Sequence, residues 1–260
     1  MITTKKVLVL IALSFPLLSY ADNFRDRDKS DSLQAIVPKI SAKSLIVPGS
    51  LMLYGTIETL LAPKYKMLNY AIGHEVINHR PPKFTIDDLT QYLPAASVYV
   101  LNISGVKGKN NFKDRTIILG IASLLTAASV NSLKYTTKVE RPDKSAFNSF
   151  PSGHTAVAFM GAEFLRQEYQ GVSPWIGIGG YIVAASTGVL RIYNNKHWVG
   201  DIAFGAGVGI LSAKLAYWLY PTIKNRLSDR KRRNNNRFDS FVFLPYYNGQ
   251  QGGLSILKQF

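Results

Sequence analysis

The strongest constraint in this chain is a series of apolar stretches long enough to cross a bilayer, separated by loops that carry its charge. Segments 117–133, 174–190 and 198–220 each reach the roughly 17–25 apolar residues that a spanning helix needs. Segments 45–62, which contains Glu58, 93–106 and 155–165 are marginal. Small residues are frequent in all of them and apolar residues do not alternate with polar ones, so helices are expected. An all-α, multi-helix transmembrane bundle follows. The stretch "GAGVG", 205–209, has the glycine density of a nucleotide loop, but it sits inside a helical segment with no strand before it. Close helix packing through Gly205 and Gly209 is the better reading.

The loops give the bundle a direction. Lys107, Lys109, Lys113 and Arg115 precede 117–133, Arg166 follows 155–165, and Lys224, Arg226, Arg230, Lys231, Arg232 and Arg233 follow 198–220. In an alternating bundle these fall on one side, which the positive-inside rule makes cytoplasmic. The ends near 134–154 and 191–201 then face the periplasm of a bacterial inner membrane. Lys5 and Lys6 precede "VLVLIALSFPLLSY", and Ser19-Tyr20-Ala21 supplies small residues at a cleavage site. Residues 1–21 therefore read as a signal peptide, the alternative being an uncleaved anchor. With the signal cleaved, an odd number of crossings must precede residue 117, which makes 93–106 interfacial or re-entrant. The expected organisation is a signal peptide (1–21), an N-terminal region with one membrane helix (22–89), a helical bundle (90–222), and a basic linker with a hairpin-like tail (223–260). In that tail, aromatic and apolar runs flank "NGQQGG", a turn between two short strands.

With 31 Lys and Arg against 16 Asp and Glu, the chain favours anionic partners. Cysteine is absent, which excludes disulfides, zinc–thiolate sites and thiol catalysis. The remaining polar signal gathers at the periplasmic helix ends: Lys134 and Arg141-Pro142, then Pro151-Ser152-Gly153-His154, then Arg191, His197 and Asp201. A helix N-terminus offers free N–H groups and the positive end of its dipole, a ready anion site. Ser152 can cap that helix and donate its hydroxyl, Gly153 lets a ligand approach the backbone, and His154 stands where it can protonate a leaving oxygen. Lys134, Arg141 and Arg191 supply charge for the equatorial oxygens of a transferring phosphoryl group. His197 and Asp201, four apart, share a helix face, so the carboxylate can fix the imidazole and leave its other nitrogen free to attack phosphorus. Phosphoryl transfer through a phosphohistidine needs no metal.

These motifs resemble those of the type 2 phosphatidic acid phosphatase (PAP2) superfamily, shared with bacterial class A acid phosphatases and vanadium haloperoxidases, over roughly residues 90–222. The resemblance implies a PAP2/haloperoxidase-like helical fold. It implies His197 as nucleophile, His154 as general acid and Asp201 as orienting carboxylate, with Lys134, Arg141, Ser152, Gly153 and Arg191 on the phosphate. It implies no cofactor, and a substrate that is a membrane lipid phosphate: phosphatidic acid, phosphatidylglycerol phosphate, undecaprenyl diphosphate or a lipid A phosphate. One position departs from the family pattern, because Leu190 stands where a Ser usually precedes the arginine of the third motif. A soluble acid phosphatase, a haloperoxidase and an inactive scaffold are the competing readings.

Two other clusters are set aside on geometry. In "GHEVINH", His74-Glu75 and His79 place the histidines five apart, about 140° around a helix, which is wrong for a metal pair, and Pro81-Pro82 ends any helix shortly after. The run "RKRRNNNR", 230–237, lacks an aromatic stacking platform and reads as an anchor on anionic lipid rather than a nucleic-acid site.

Overall fold

The computed structural model describes residues 41–61, 68–79, 85–235, 240–247 and 252–259. The signal segment expected at 1–21 lies outside them. Helix α1 (Ala42–Thr56) runs on as a π-helical turn, Ile57–Leu61. It is followed by α2 (Leu68–His79), the single turn α3 (Asp87–Thr90), α4 (Leu93–Ile103), α5 (Phe112–Thr137), α6 (Gly153–Tyr169), α7 (Pro174–Tyr193) and α8 (Val199–Asn235).

The sequence states where these helices begin. Asn111 caps α5 by accepting from the Asp114 N–H at 2.9 Å, Ser152 caps α6, and Ser173 caps α7 with Pro174 in the first turn, where a missing N–H costs nothing. Helix α5 stops where Lys138 adopts a left-handed conformation (φ 49°) and turns the chain into the loop toward α6. Three helices are long and apolar enough to cross a membrane: α5, α7 and the Val199–Arg226 part of α8. At 1.5 Å per residue α5 extends about 39 Å, more than the hydrocarbon thickness of about 30 Å. Helix α4 extends about 16 Å on the same rise and cannot span.

Helix α6 is the axis of the bundle. Thr155, Ala156, Ala158, Gly161, Ala162, Phe164 and Leu165 are all buried on it, and small residues set the distance of every neighbour. A Cβ on Gly161 would lie 2.9 Å from the Ala95 nitrogen of α4, and one on Gly180 of α7 would lie 2.8 Å from Leu165 Cδ2. On α8, a Cβ at Gly205 would come 2.6 Å from the Ser152 carbonyl oxygen, and one at Gly209 would fall on the Ala156 carbonyl. The "GAGVG" glycines are therefore packing positions. Helix α1 meets the same stretch of α8 through Gly55, whose Cβ would stand 2.7 Å from that of Phe204. Beneath the N-terminal end of α6, Phe150, Phe204, Val130, Ala156, Val208 and Leu60 form a buried apolar cluster.

At its other end α6 is locked by carboxylates. Glu163 accepts from Arg166 Nε at 2.8 Å, Tyr181 at 2.5 Å and Gln167 at 3.0 Å, with Lys214 Nζ at 3.1 Å. Glu168 accepts from the Asn110 backbone at 3.0 Å and from Tyr217 at 2.6 Å. Both carboxylates are buried and fully partnered, so they fix the rotation of α6 against α7, α8 and the loop before α5.

Residues Leu219–Phe260 form a separate compact unit. Within it, β1 (Ser240–Tyr247) and β2 (Gly252–Gln259) pair antiparallel, from Ser240 opposite Gln259 to Tyr247 opposite Gly252. The tail is the hairpin that its composition predicts.

The glycine contacts differ sharply in what they tolerate. Gly209→Val should cost about 3 kcal/mol or abolish folding, because the added atoms meet backbone that cannot retreat. Gly179→Ala, with nothing within 4 Å of the added methyl, should leave stability unchanged or raise it by about 0.5–1 kcal/mol. Thermal unfolding of both variants in detergent checks the contrast.

Candidate active site

The helix ends at one pole of the bundle converge: the C-terminal turns of α5 and α7, the N-terminal turns of α6 and α8, and the loops 138–152 and 194–198 between them. Lys134, Arg141, Ser152, Gly153, His154, Arg191, His197 and Asp201 all lie there.

Asp201 sits in the first turn of α8 and accepts from the backbone N–H of Trp198 at 2.9 Å, one half of a capping box. The same oxygen, Oδ2, accepts from Ser149 Oγ at 2.5 Å and lies 3.5 Å from His197 Nδ1. The carboxylate is thus held by α8's own start and by the loop before α6. The Asp201 carbonyl accepts from the Ser152 N–H at 3.1 Å, which ties the mouth of α6 to the mouth of α8. His197 is buried, and burial above all holds its imidazole down to about 4, with Lys134 and Arg191 acting in the same direction and the Asp201 carboxylate opposing them. The side chain is therefore neutral near pH 7, the state in which a nitrogen lone pair is available.

The cations face this imidazole. Lys134 Nζ donates to the carbonyl of Asn148. Arg141 is half-buried, and its guanidinium is pushed below the ordinary range by burial first and by nearby Arg191 second. Among the described residues, Arg141 Nε and Arg191 Nε are buried without a hydrogen-bond partner. Donors left in that state in a cationic pocket are complementary to an anion. Ser152 is fully buried, and its hydroxyl lies 2.9 Å from Thr155 Oγ1 and accepts from the Thr155 N–H at 3.5 Å. Ser152 caps α6 through this contact. Gly153 has open space: an added Cβ would meet only Val130 Cγ1, at 3.7 Å.

Partners invisible to motif spacing complete the pole. Asp87 of α3 accepts from Arg191 Nη1 at 2.5 Å and from Asn194 Nδ2 at 3.2 Å. Asp88 lies 2.8 Å from His154 Nε2. Lys196 donates to Asp143 at 2.6 Å, and although partial burial works the other way, this ammonium and the Ser145 donors hold the Asp143 carboxyl down to about 2. Trp198 Nε1 donates to the Glu140 carbonyl at 2.9 Å, a second tie between the two loops. Asn69 of α2 takes Glu58 through its backbone N–H at 2.6 Å and accepts from the Gly200 N–H at 2.9 Å, so α2 is anchored over the start of α8. Beside His197 lies a shallow depression lined by Asn69, Ile72, Val76, Pro142, Ile192 and Asn195.

Residues 115–225 match the family model of the PAP2 superfamily. This stretch of the bundle is similar to the PAP2 superfamily. Over 137 residues, 52% of this chain, it is 42% identical to the lipid A 1-phosphatase of Porphyromonas gingivalis, and the match covers 30% of that protein. Over 107 residues, 36% of this chain, it is 29% identical to the bacitracin transport permease protein BcrC of Bacillus licheniformis, covering 51% of that protein. The chain thus spans about half or less of the curated relatives it matches. Among solved structures, Aquifex aeolicus LpxE aligns with 60% of this chain and 98% of its own at 25% identity and a TM-score of 0.46. A transmembrane PAP2 type phosphatidylglycerolphosphate phosphatase from Bacillus subtilis aligns with 66% of this chain and 94% of its own at 25% identity and a TM-score of 0.44. Three helices of the bundle are long and apolar enough to cross a membrane.

The trio Asp87, Asp88 and His154 brings ligand atoms within 4.8 Å of one another. Arg191 already places a positive charge 2.5 Å from Asp87 Oδ2, and a divalent cation there would have to displace it.

The environment of His197 sets a titration that departs from the ordinary. In an NMR titration of the histidine-labelled protein, the His197 imidazole should have its midpoint near 4, and Asp201→Asn should move it lower still, since the carboxylate is the group that raises it. A midpoint for His197 in the ordinary histidine range, near 6.5, would contradict the buried, neutral state.

Proposed function

We propose that this protein is a metal-independent phosphatase that hydrolyses phosphate monoester or diphosphate groups of membrane lipids through a phosphohistidine at His197. One observation carries the reading. A neutral, buried imidazole stands among cations whose guanidinium Nε donors have no hydrogen-bond partner among the described residues, beside a capped helix N-terminus with open space at Gly153.

In this arrangement Lys134, Arg141, Arg191 and the first N–H groups of α6 hold the phosphoryl oxygens. The His197 Nε2 lone pair attacks phosphorus in line, and the bond to the leaving oxygen breaks with its electron pair on that oxygen. His154 supplies the proton that neutralises it. Asp201 stabilises the imidazolium character that His197 acquires. Water then attacks the phosphohistidine, gives its proton to His154, and phosphate leaves. Uneven charge along the loops orients the site toward the periplasm of an inner membrane. The lipid A 1-phosphatase relative makes a lipid A phosphate the first substrate to try, ahead of phosphatidic acid, phosphatidylglycerol phosphate and undecaprenyl diphosphate. Helices of spanning length favour a lipid over the freely diffusing ester of a soluble acid phosphatase.

Phosphate release by detergent-solubilised protein in EDTA, across these lipids and one soluble ester, tests the proposal. Activity should be concentrated on lipid phosphates, and His197→Ala should lose about 10³-fold or more. Wild-type rates in His197→Ala would sink the assignment of the nucleophile, and broad activity on the soluble ester would favour an acid phosphatase. Gly153→Ala should melt like the wild type yet bind inorganic phosphate about tenfold more weakly, a loss of about 1.4 kcal/mol, because its methyl intrudes on the ligand and not on the protein.

A further inference from the structure

Helix α3 is only four residues long, yet both of its carboxylates reach the catalytic pole. Asp87 is buried against Arg191 and Asn194. Asp88 is different: its side chain is 65% exposed, but its Oδ1 meets His154 Nε2 at 2.8 Å and stands 3.9 Å from Arg191 Nη1. The Thr90 and Thr187 hydroxyls, 2.9 Å apart, pin α3 to α7, so the position of Asp88 is imposed by the fold. An exposed ion pair adds little to stability, and the contact therefore has to be understood through what it does to the imidazole.

We propose that Asp88 is a positioning residue for His154, aligning it through Nε2 and favouring its protonation as the leaving group arrives. The inference rests on the reading of His154 as general acid. With the Nε2 proton kept on Asp88, the proton delivered is the one on Nδ1. It passes to the leaving oxygen as the phosphorus–oxygen bond breaks, and the imidazole remains neutral, still bonded to Asp88. The site then contains two carboxylate–imidazole pairs of opposite purpose. Asp201 engages Nδ1 of a histidine kept neutral for attack, while Asp88 engages Nε2 of a histidine that must carry a proton for donation. The charged groups facing His154 are Asp87 and Asp88 from α3 and Arg191 from α7. Burial first and Arg191 second press the imidazole below the ordinary histidine value, and Asp88 is the main opposing influence. A general acid is lost as pH rises through its pKa. Removing the Asp88 charge lowers that pKa, so the basic limb of the rate profile must move to lower pH.

The test uses the full-length protein in detergent with two esters, an aryl phosphate whose leaving group needs no proton and an alkyl lipid phosphate whose leaving group does, in wild type, Asp88→Asn, Asp88→Glu and His154→Ala. Asp88→Asn should keep the wild-type melting temperature, lose about tenfold or more in kcat on the alkyl ester with little change on the aryl ester, and show its basic limb at lower pH. Asp88→Glu should recover part of the loss. If His154→Ala discriminates between the esters but Asp88→Asn does not, or if the basic limb of Asp88→Asn stays in place, the role of Asp88 is overturned while that of His154 stands. If His154→Ala loses both esters equally, the general-acid assignment fails and the proposal with it.

Discussion

Every distance at the pole where the motif residues meet depends on how closely α8 lies against α6. Gly205 and Gly209 face the Ser152 and Ala156 carbonyls with no room for a side chain, so the first turn of α8 is drawn against the first turn of α6. That approach lets the Ser152 N–H reach the Asp201 carbonyl and the Ser149 hydroxyl reach the Asp201 carboxylate. In a bilayer, where apolar surfaces gain nothing by leaving lipid tails for one another, such small-residue contacts and polar ties supply helix association. The chemistry and the packing thus share one interface, and a side chain that parted the helices would displace His197 from His154 before it touched either.

Charge at this pole is arranged by contrast. Cations from α5, α7 and the 138–152 loop are gathered where burial makes their mutual repulsion expensive, a cost that an anion would relieve. The imidazole among them stays uncharged for the same reason. Negative charge enters only at places where it holds something: Asp201 at the start of α8, Asp87 behind Arg191, Asp143 on Lys196 and Asp88 at the rim.

Much of this was legible in the sequence, and the rest was hidden for identifiable reasons. Spanning helices announce themselves by length and hydropathy, which is why α5, α7 and α8 match segments 117–133, 174–190 and 198–220. Residues of the motifs sit at helix ends, where the local requirement for a cap or a charge shows in the spacing, and all of them reached one pole. Ser152 was read both as cap and as hydroxyl donor to phosphate, and the cap is seen in its contact with Thr155. Asp87, Asp88, Ser149, Asn194 and Asn69 gave no signal, because each acts across a long stretch of chain on a partner that no periodicity couples to it. Only Glu58 stood out beforehand, as a charge in an apolar segment, and its partner proved to be the backbone of α2.

The locked end of α6 has a consequence for how such a chain is built. Glu163, Arg166 and Glu168 lie along its last turns, and a charged residue near the middle of a lone helix costs about 2.5–3.5 kcal/mol to insert. Alone, α6 is a poor passenger for the translocon. Its carboxylates become tolerable only once Tyr181, Lys214 and Tyr217 surround them, and those residues are synthesised later, on α7 and α8. Helix α6, with His154 near its start, therefore meets the groups that satisfy its carboxylates only after α7 and α8 have been made.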